Sequence, residues 1–135
     1  QAIALAKDDF KNSEHFQMMV EWLRGCYNYD VKKLVPLAET FHKAGREHQK
    51  EYFEYVLHFV RQCIVANYGR DDLSKLTHAE TQFASKFSPF INHLNVVELS
   101  ETIEEAHKDI GRNVYARIVF LHLSYLVHKL LKRAE

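Results

Sequence analysis

The stretch over residues 112–133, RNVYARIVFLHLSYLVHKLLKR, constrains this chain more than any other. At about 100° per residue, Val114, Ile118, Leu121 and Tyr125 share one face of a helix. Ala116, Val119, Phe120, Leu123, Leu126, Val127, Leu130 and Leu131 share the opposite one. Arg117 and Ser124 form a thin polar seam on one side, His122 and Lys129 on the other. A surface helix shows a single apolar stripe; a helix apolar on two faces is covered on two sides. Either this chain covers both faces, or one is open to a partner.

The rest of the chain reads as helices punctuated by caps and glycines. Residues 1–7 read as the end of a helix and Asp8-Asp9 as a turn. Asn12 or Ser13 then caps a helix to about Tyr27, with Phe16, Met19, Val20, Leu23 and Tyr27 on its core face. Gly25 lies near its end, where loss of helix costs little. Asp30 caps a second helix over 31–44, with Leu34, Ala38 and Phe41 inward. Pro36 either kinks this helix or marks where its regular part begins. Gly45 suits the position just past its end. A third helix over 46–67 centres on Phe53, Leu57, Val60 and Ile64, flanked by Val56 and Cys63, with Gly69 as its stop. Tyr52, Tyr55 and Phe59 widen its apolar arc, which suits a second layer of core or a patch for another subunit.

Residues 71–76 read as a loop. Thr77-His78-Ala79-Glu80 forms a capping box that opens a short helix to Phe87. Pro89 breaks the chain there, and Phe90 and Ile91 plug the core. Asn95 caps a helix over 96–110 with Leu99, Ile103, Ala106 and Ile110 inward. Gly111 separates it from the last helix, which Asn113 caps. No convincing strand and no internal repeat appears. The fold class is therefore all-α: a single compact bundle of about five to six helices over residues 1–135.

Composition narrows function by exclusion. Lys+Arg and Asp+Glu balance at 18 each, so no global charge drives the chain toward nucleic acid. Arg46, Lys50, Arg112 and Arg117 open helices, yet the faces that would enter a DNA groove are apolar. Cys26 and Cys63 both sit within apolar helical patterns and read as reduced core thiols. No apolar run approaches a membrane span, and no signal peptide is evident. The chain starts at Gln1, which suggests a fragment of a longer protein.

Catalytic motifs are missing. There is no G-x-x-x-x-G-K-[ST], G-x-G-x-x-G or G-x-S-x-G, and none of the nine histidines falls in H-E-x-x-H. The most tempting signal is a pair of Glu-x-x-His motifs, Glu39…His42 and Glu104…His107, with Glu21 and Glu54 as further carboxylates. Di-iron bundles use such a set, with every ligand projecting into the core. Here Glu39 sits roughly 140° from Leu34 around its helix, and Glu104 roughly 140° from Leu99, so both face water. The expectation is no catalytic residue, no cofactor and no metal.

Several segments, taken in order, resemble one family. They are FQMMVEWLRGCY over 16–27, GREHQK over 45–50 and ETQFASKFSPFIN over 80–92 with Asn95. IGRN over 110–113, IVFLHLS over 118–124 and KLL over 129–131 complete the set. Together they resemble the C-terminal collar region of a bacterial DNA polymerase III clamp-loader subunit, delta-prime/gamma-related, of the Bacteroidetes type. Gly111, where such relatives usually carry a bulkier polar residue, and Pro36 depart from the pattern.

The resemblance implies a helical collar domain whose ATPase module, with its Walker and arginine-finger segments, lies upstream. Collars of neighbouring subunits form a ring that holds the assembly together. That assembly loads the sliding clamp on primed DNA during replication, in the cytoplasm. The collar itself is non-catalytic, although the whole protein belongs to the polymerase holoenzyme. Its partners are the other clamp-loader subunits; clamp and DNA are reached only through the full assembly, and no membrane is involved. Candidate partner-facing residues are Tyr52, Tyr55, Phe59, Phe120 and Val127, with Arg112 and Asn113 at the junction of the last two helices. The other class compatible with the residues is a generic helical interaction or regulatory domain unrelated to replication.

Overall fold

The computed structural model describes residues 2–67, 76–112 and 114–134, with side chains over 13–65, 76–112 and 114–134. The described residues are all-α. Helices α1 (Ala2–Asn28), α2 (Val31–Lys43) and α3 (Arg46–Asn67) are followed by α4 (His78–Phe87) and a 3₁₀ turn (Ser88–Phe90). Helices α5 (Val96–Gly111) and α6 (Ala116–Arg133) complete the bundle. The expected stop at Gly69, the loop over 71–75 and the cap at Asn113 lie outside the described residues.

Helix α1 runs unbroken through Asp8-Asp9, where the sequence suggested a turn. Asp and Asn cost a helix interior at most about 0.7 kcal/mol each relative to Ala, and with no Gly or Pro before Gly25 nothing stops helix propagation. Gly25 has a packing role rather than a terminal one. A Cβ there would sit 3.1 Å from Leu34 Cδ2, so its absence lets α2 approach closely. The helix ends where Tyr29 takes a left-handed conformation (φ +50°) and Asp30 N–H reaches back to the Gly25 carbonyl at 2.9 Å. His128 Nδ1–H donates to the Cys26 carbonyl at 2.8 Å and satisfies another acceptor of that last turn.

Pro36 neither breaks nor delays α2, which is helical from Val31 onward. Pro36 and Lys32 both face solvent, so water can serve the carbonyl that Pro36 leaves without a donor. Leu34, Leu37, Ala38 and Phe41 are buried. Gly45 follows at φ +89°, the left-handed position that ends a helix. The capping box at Thr77 forms: Glu80 N–H donates to Thr77 Oγ1, and Thr77 N–H to Glu80 Oε1. Asn95 precedes α5 but does not cap it with its side chain.

Helix α6 packs against α1, α2 and α5, while α3 lies along α5 and contacts α1. Paired residues give the directions. Trp22 meets Ser124 and Cys26 meets His128, so α1 and α6 run the same way. His42 meets Tyr115 while Tyr29 meets Tyr125, so α2 opposes α6. The centre is aromatic. Phe41 and Phe120 rings lie 4.9 Å apart, Trp22 and Phe120 5.6 Å, and Phe41 and Phe53 5.0 Å. Ser124, read from the sequence as part of a thin polar seam, is fully buried here and accepts the Trp22 Nε1–H bond at 2.8 Å. Its own hydroxyl donates to the Phe120 carbonyl at 2.7 Å. No described helix is long and apolar enough to cross a membrane.

Candidate functional site

The two apolar faces of α6 have different fates. Val119, Phe120, Leu123, Val127, Leu130 and Leu131 are buried against α1, α2 and α5. On the other face Ile118 is 63% exposed, Tyr125 43% and Val114, just before the helix, 44%; Leu121 is partly buried at its edge. The stripe continues onto neighbouring elements. The Tyr125 ring meets that of Tyr29, itself exposed, at 5.8 Å. On α2, Val31 (53% exposed), Val35 and Glu39 form one i, i+4 row, and Glu39 is hydrogen-bonded by Arg117 of α6. Valines on that row therefore border the same stripe. Exposed apolar residues gathered on one side of a domain make a candidate interaction surface.

The partner-facing residues expected from the sequence lie elsewhere. Tyr52, Tyr55, Phe59, Phe120 and Val127 are all buried in the chain's own core, so a partner cannot reach them while the fold is intact. The wide arc of α3 is the second core layer. Phe59 packs against Phe83, rings 5.7 Å apart and tilted, and the Tyr55 hydroxyl donates to the Glu80 carboxylate. Burial pushes the Tyr52 and Tyr55 phenols well above their ordinary pKa, and at Tyr55 the Glu80 bond adds to the effect. Arg112 is exposed, its guanidinium 3.5 Å from Glu105 and 3.8 Å from Asp109. Asn113 lies outside the described residues. What the helical wheel could not decide is which of two apolar faces meets α1. The deciding signal was Ser124, whose hydroxyl belongs beside the indole of Trp22.

Charged groups fence the stripe. Arg117 holds Glu39, with a second contact at 3.3 Å, and donates to the Tyr115 hydroxyl at 2.9 Å. The Arg117 hydrogen bond lowers the Glu39 carboxyl below its ordinary pKa. Tyr115 stacks on His42 at 5.7 Å, and Lys129 lies over the Tyr125 ring at 5.5 Å. On the far side of α6 a groove of about 460 Å³ separates it from α5. Glu98, Glu101, Glu105 and Asp109 rim it, over a floor that includes Ala106, Leu123 and Leu126.

The carboxylates of the Glu-x-x-His pattern do not converge. Glu54 meets His107 at 2.8 Å and Glu104 meets Arg61 at 3.0 Å, both on the α3–α5 surface, while Glu39 is held by Arg117 and Glu21 is exposed. A different set does converge among the described residues: His15 of α1 with His48 and Glu51 of α3. Both thiols are free and buried; burial pushes Cys63 up to about 12 and Cys26 further. Compared with known protein families, with curated proteins and with solved structures, the chain finds no match in any of the three.

Proposed function

We propose that this chain is an assembly domain that works by docking, and that its place is the collar of the bacterial DNA polymerase III clamp loader, as the resemblance in its segments implies. One observation carries the docking reading: the exposed apolar stripe of Val114, Ile118 and Tyr125, edged by the partly buried Leu121 and continued by Tyr29, Val31 and Val35. The stripe lies on a helix whose opposite face is locked into the core, so it presents a rigid surface. Rigid apolar surface binds with little loss of side-chain entropy, which suits a permanent subunit contact. The occupant is the collar of a neighbouring clamp-loader subunit. A stable contact of this kind buries on the order of 1,200–2,000 Å² in total. The module does no chemistry; clamp opening and DNA loading belong to the assembly it helps to hold.

The test is co-purification of the protein with the other clamp-loader subunits, with Ile118→Glu and Tyr125→Glu as variants. The parent chain enters the complex and both variants are excluded from it, with helicity by circular dichroism unchanged. If the parent fails to join those subunits but captures another partner through the same stripe, the replication reading falls and a helical interaction domain of other purpose remains. If both variants join as well as the parent, the docking surface is elsewhere.

A further inference from the structure

We infer that His15, His48 and Glu51 form a binding site for a divalent cation of the zinc class, bridging α1 and α3. The inference is independent of the docking reading above. Three observations support it. The first is convergence: one ligand atom from each of the three side chains lies within 4.8 Å of the other two. The second is register. His48 and Glu51 stand three apart on α3, so their side chains leave the same face of that helix. His15 meets them from α1, its ring 4.8 Å from that of His48.

The third is the division between fixed and adjustable ligands. His15 is 3% exposed and held among rings, 5.8 Å from Tyr52 and 5.7 Å from Tyr55. His48 and Glu51 are half-buried at the mouth of the cluster. Zinc bonds of about 2.0–2.1 Å place tetrahedral ligands roughly 3.3 Å apart, so the atoms need to draw in by about 1.5 Å at most. Rotation about the Glu51 and His48 side-chain bonds supplies that movement while His15 stays in place.

Donor chemistry selects the ion. Two imidazole nitrogens and one carboxylate oxygen suit zinc or its first-row neighbours; calcium and magnesium prefer all-oxygen shells. Three protein ligands leave a fourth tetrahedral position on the solvent side for water. With one carboxylate in the set, the bound site carries a single net positive charge. The ion ties the middle of α1 to the start of α3, next to the core contact of Trp22 with Tyr52.

The experiment uses the tag-free chain, stripped with EDTA and titrated with Zn²⁺ against a chromophoric chelator, with Co²⁺ absorption as a second probe. The variants are His48→Ala and Glu51→Gln, both at half-buried positions, with His107→Ala as a control at the separate His–Glu pair on the α3–α5 surface. One ion per chain binds the parent, each cluster variant weakens binding at least tenfold, and the control leaves it unchanged. Zn²⁺ also raises the thermal midpoint of the parent but not of His48→Ala. Absence of saturable Zn²⁺ binding to the folded parent, or a binding constant that either cluster variant leaves unchanged, overturns the site.

Discussion

Ser124 and Gly45 show how single positions set this fold in opposite ways. Ser124 Oγ accepts the hydrogen bond of the buried Trp22 indole N–H. Ser124→Ala removes that acceptor without making room for water, so the cost is that of an orphaned buried donor, about 1–3 kcal/mol. Urea unfolding measures it; a change under about 0.5 kcal/mol, typical of free surface, would mean the indole finds another acceptor. Gly45 has room for a side chain: a Cβ there meets no described atom within 4 Å. Its backbone is nevertheless left-handed, at φ +89°. Gly45→Ala therefore costs about 1–2 kcal/mol through backbone strain alone. An Asn at the same position, which tolerates that region better, should recover part of the loss in the same denaturation assay.

At the level of elements, the amides of Gln49 and Asn95 hold helices together by side chain to backbone bonds. Gln49, within GREHQK, is buried and donates to the Phe41 and His42 carbonyls at 2.9 and 3.2 Å, closing the end of α2. Asn95 donates to the Phe90 and Leu130 carbonyls at 2.8 and 2.9 Å and accepts from Asn92 N–H at 3.1 Å. It thereby ties the turn after α4 to the last turn of α6. Helix existence, the inward faces of α2 and α5 and the Thr77 capping box were legible because each rests on local spacing. The packing role of Gly25, the tie made by Asn95 and the meeting of His15 with His48 were not. Each depends on which helix lies opposite, and no periodicity within one helix encodes that. The Arg117–Glu39 link between α6 and α2 is testable by pH. Its hydrogen bond lowers the Glu39 carboxyl below its ordinary range, so its contribution is present above that range and fades as pH falls through the lowered value. Glu39 followed by NMR should titrate at a higher pH in Arg117→Gln than in the parent; an unchanged midpoint would show the pair is not formed in solution. Both groups are exposed, so the effect on global stability is small.

For the whole molecule, the argument turns on the asymmetry of α6. A helix apolar on two faces left two possibilities open, and the described residues choose one: the Phe120–Leu123–Val127 face is core and the Ile118–Tyr125 face is bare. Stability should divide along the same line. Leu123→Ala removes a buried side chain and costs about 2–5 kcal/mol, whereas Leu121→Ala, at the partly buried edge, costs about 1 kcal/mol. Ile118→Glu falls on open surface and changes the stability of the isolated chain by less than about 0.5 kcal/mol. Chemical denaturation of the three variants decides the matter. A large loss at Ile118 would mean that the stripe is already covered within the isolated protein, and the docking surface would have to be sought elsewhere. A neutral Ile118→Glu that nonetheless abolishes subunit association would separate folding from assembly.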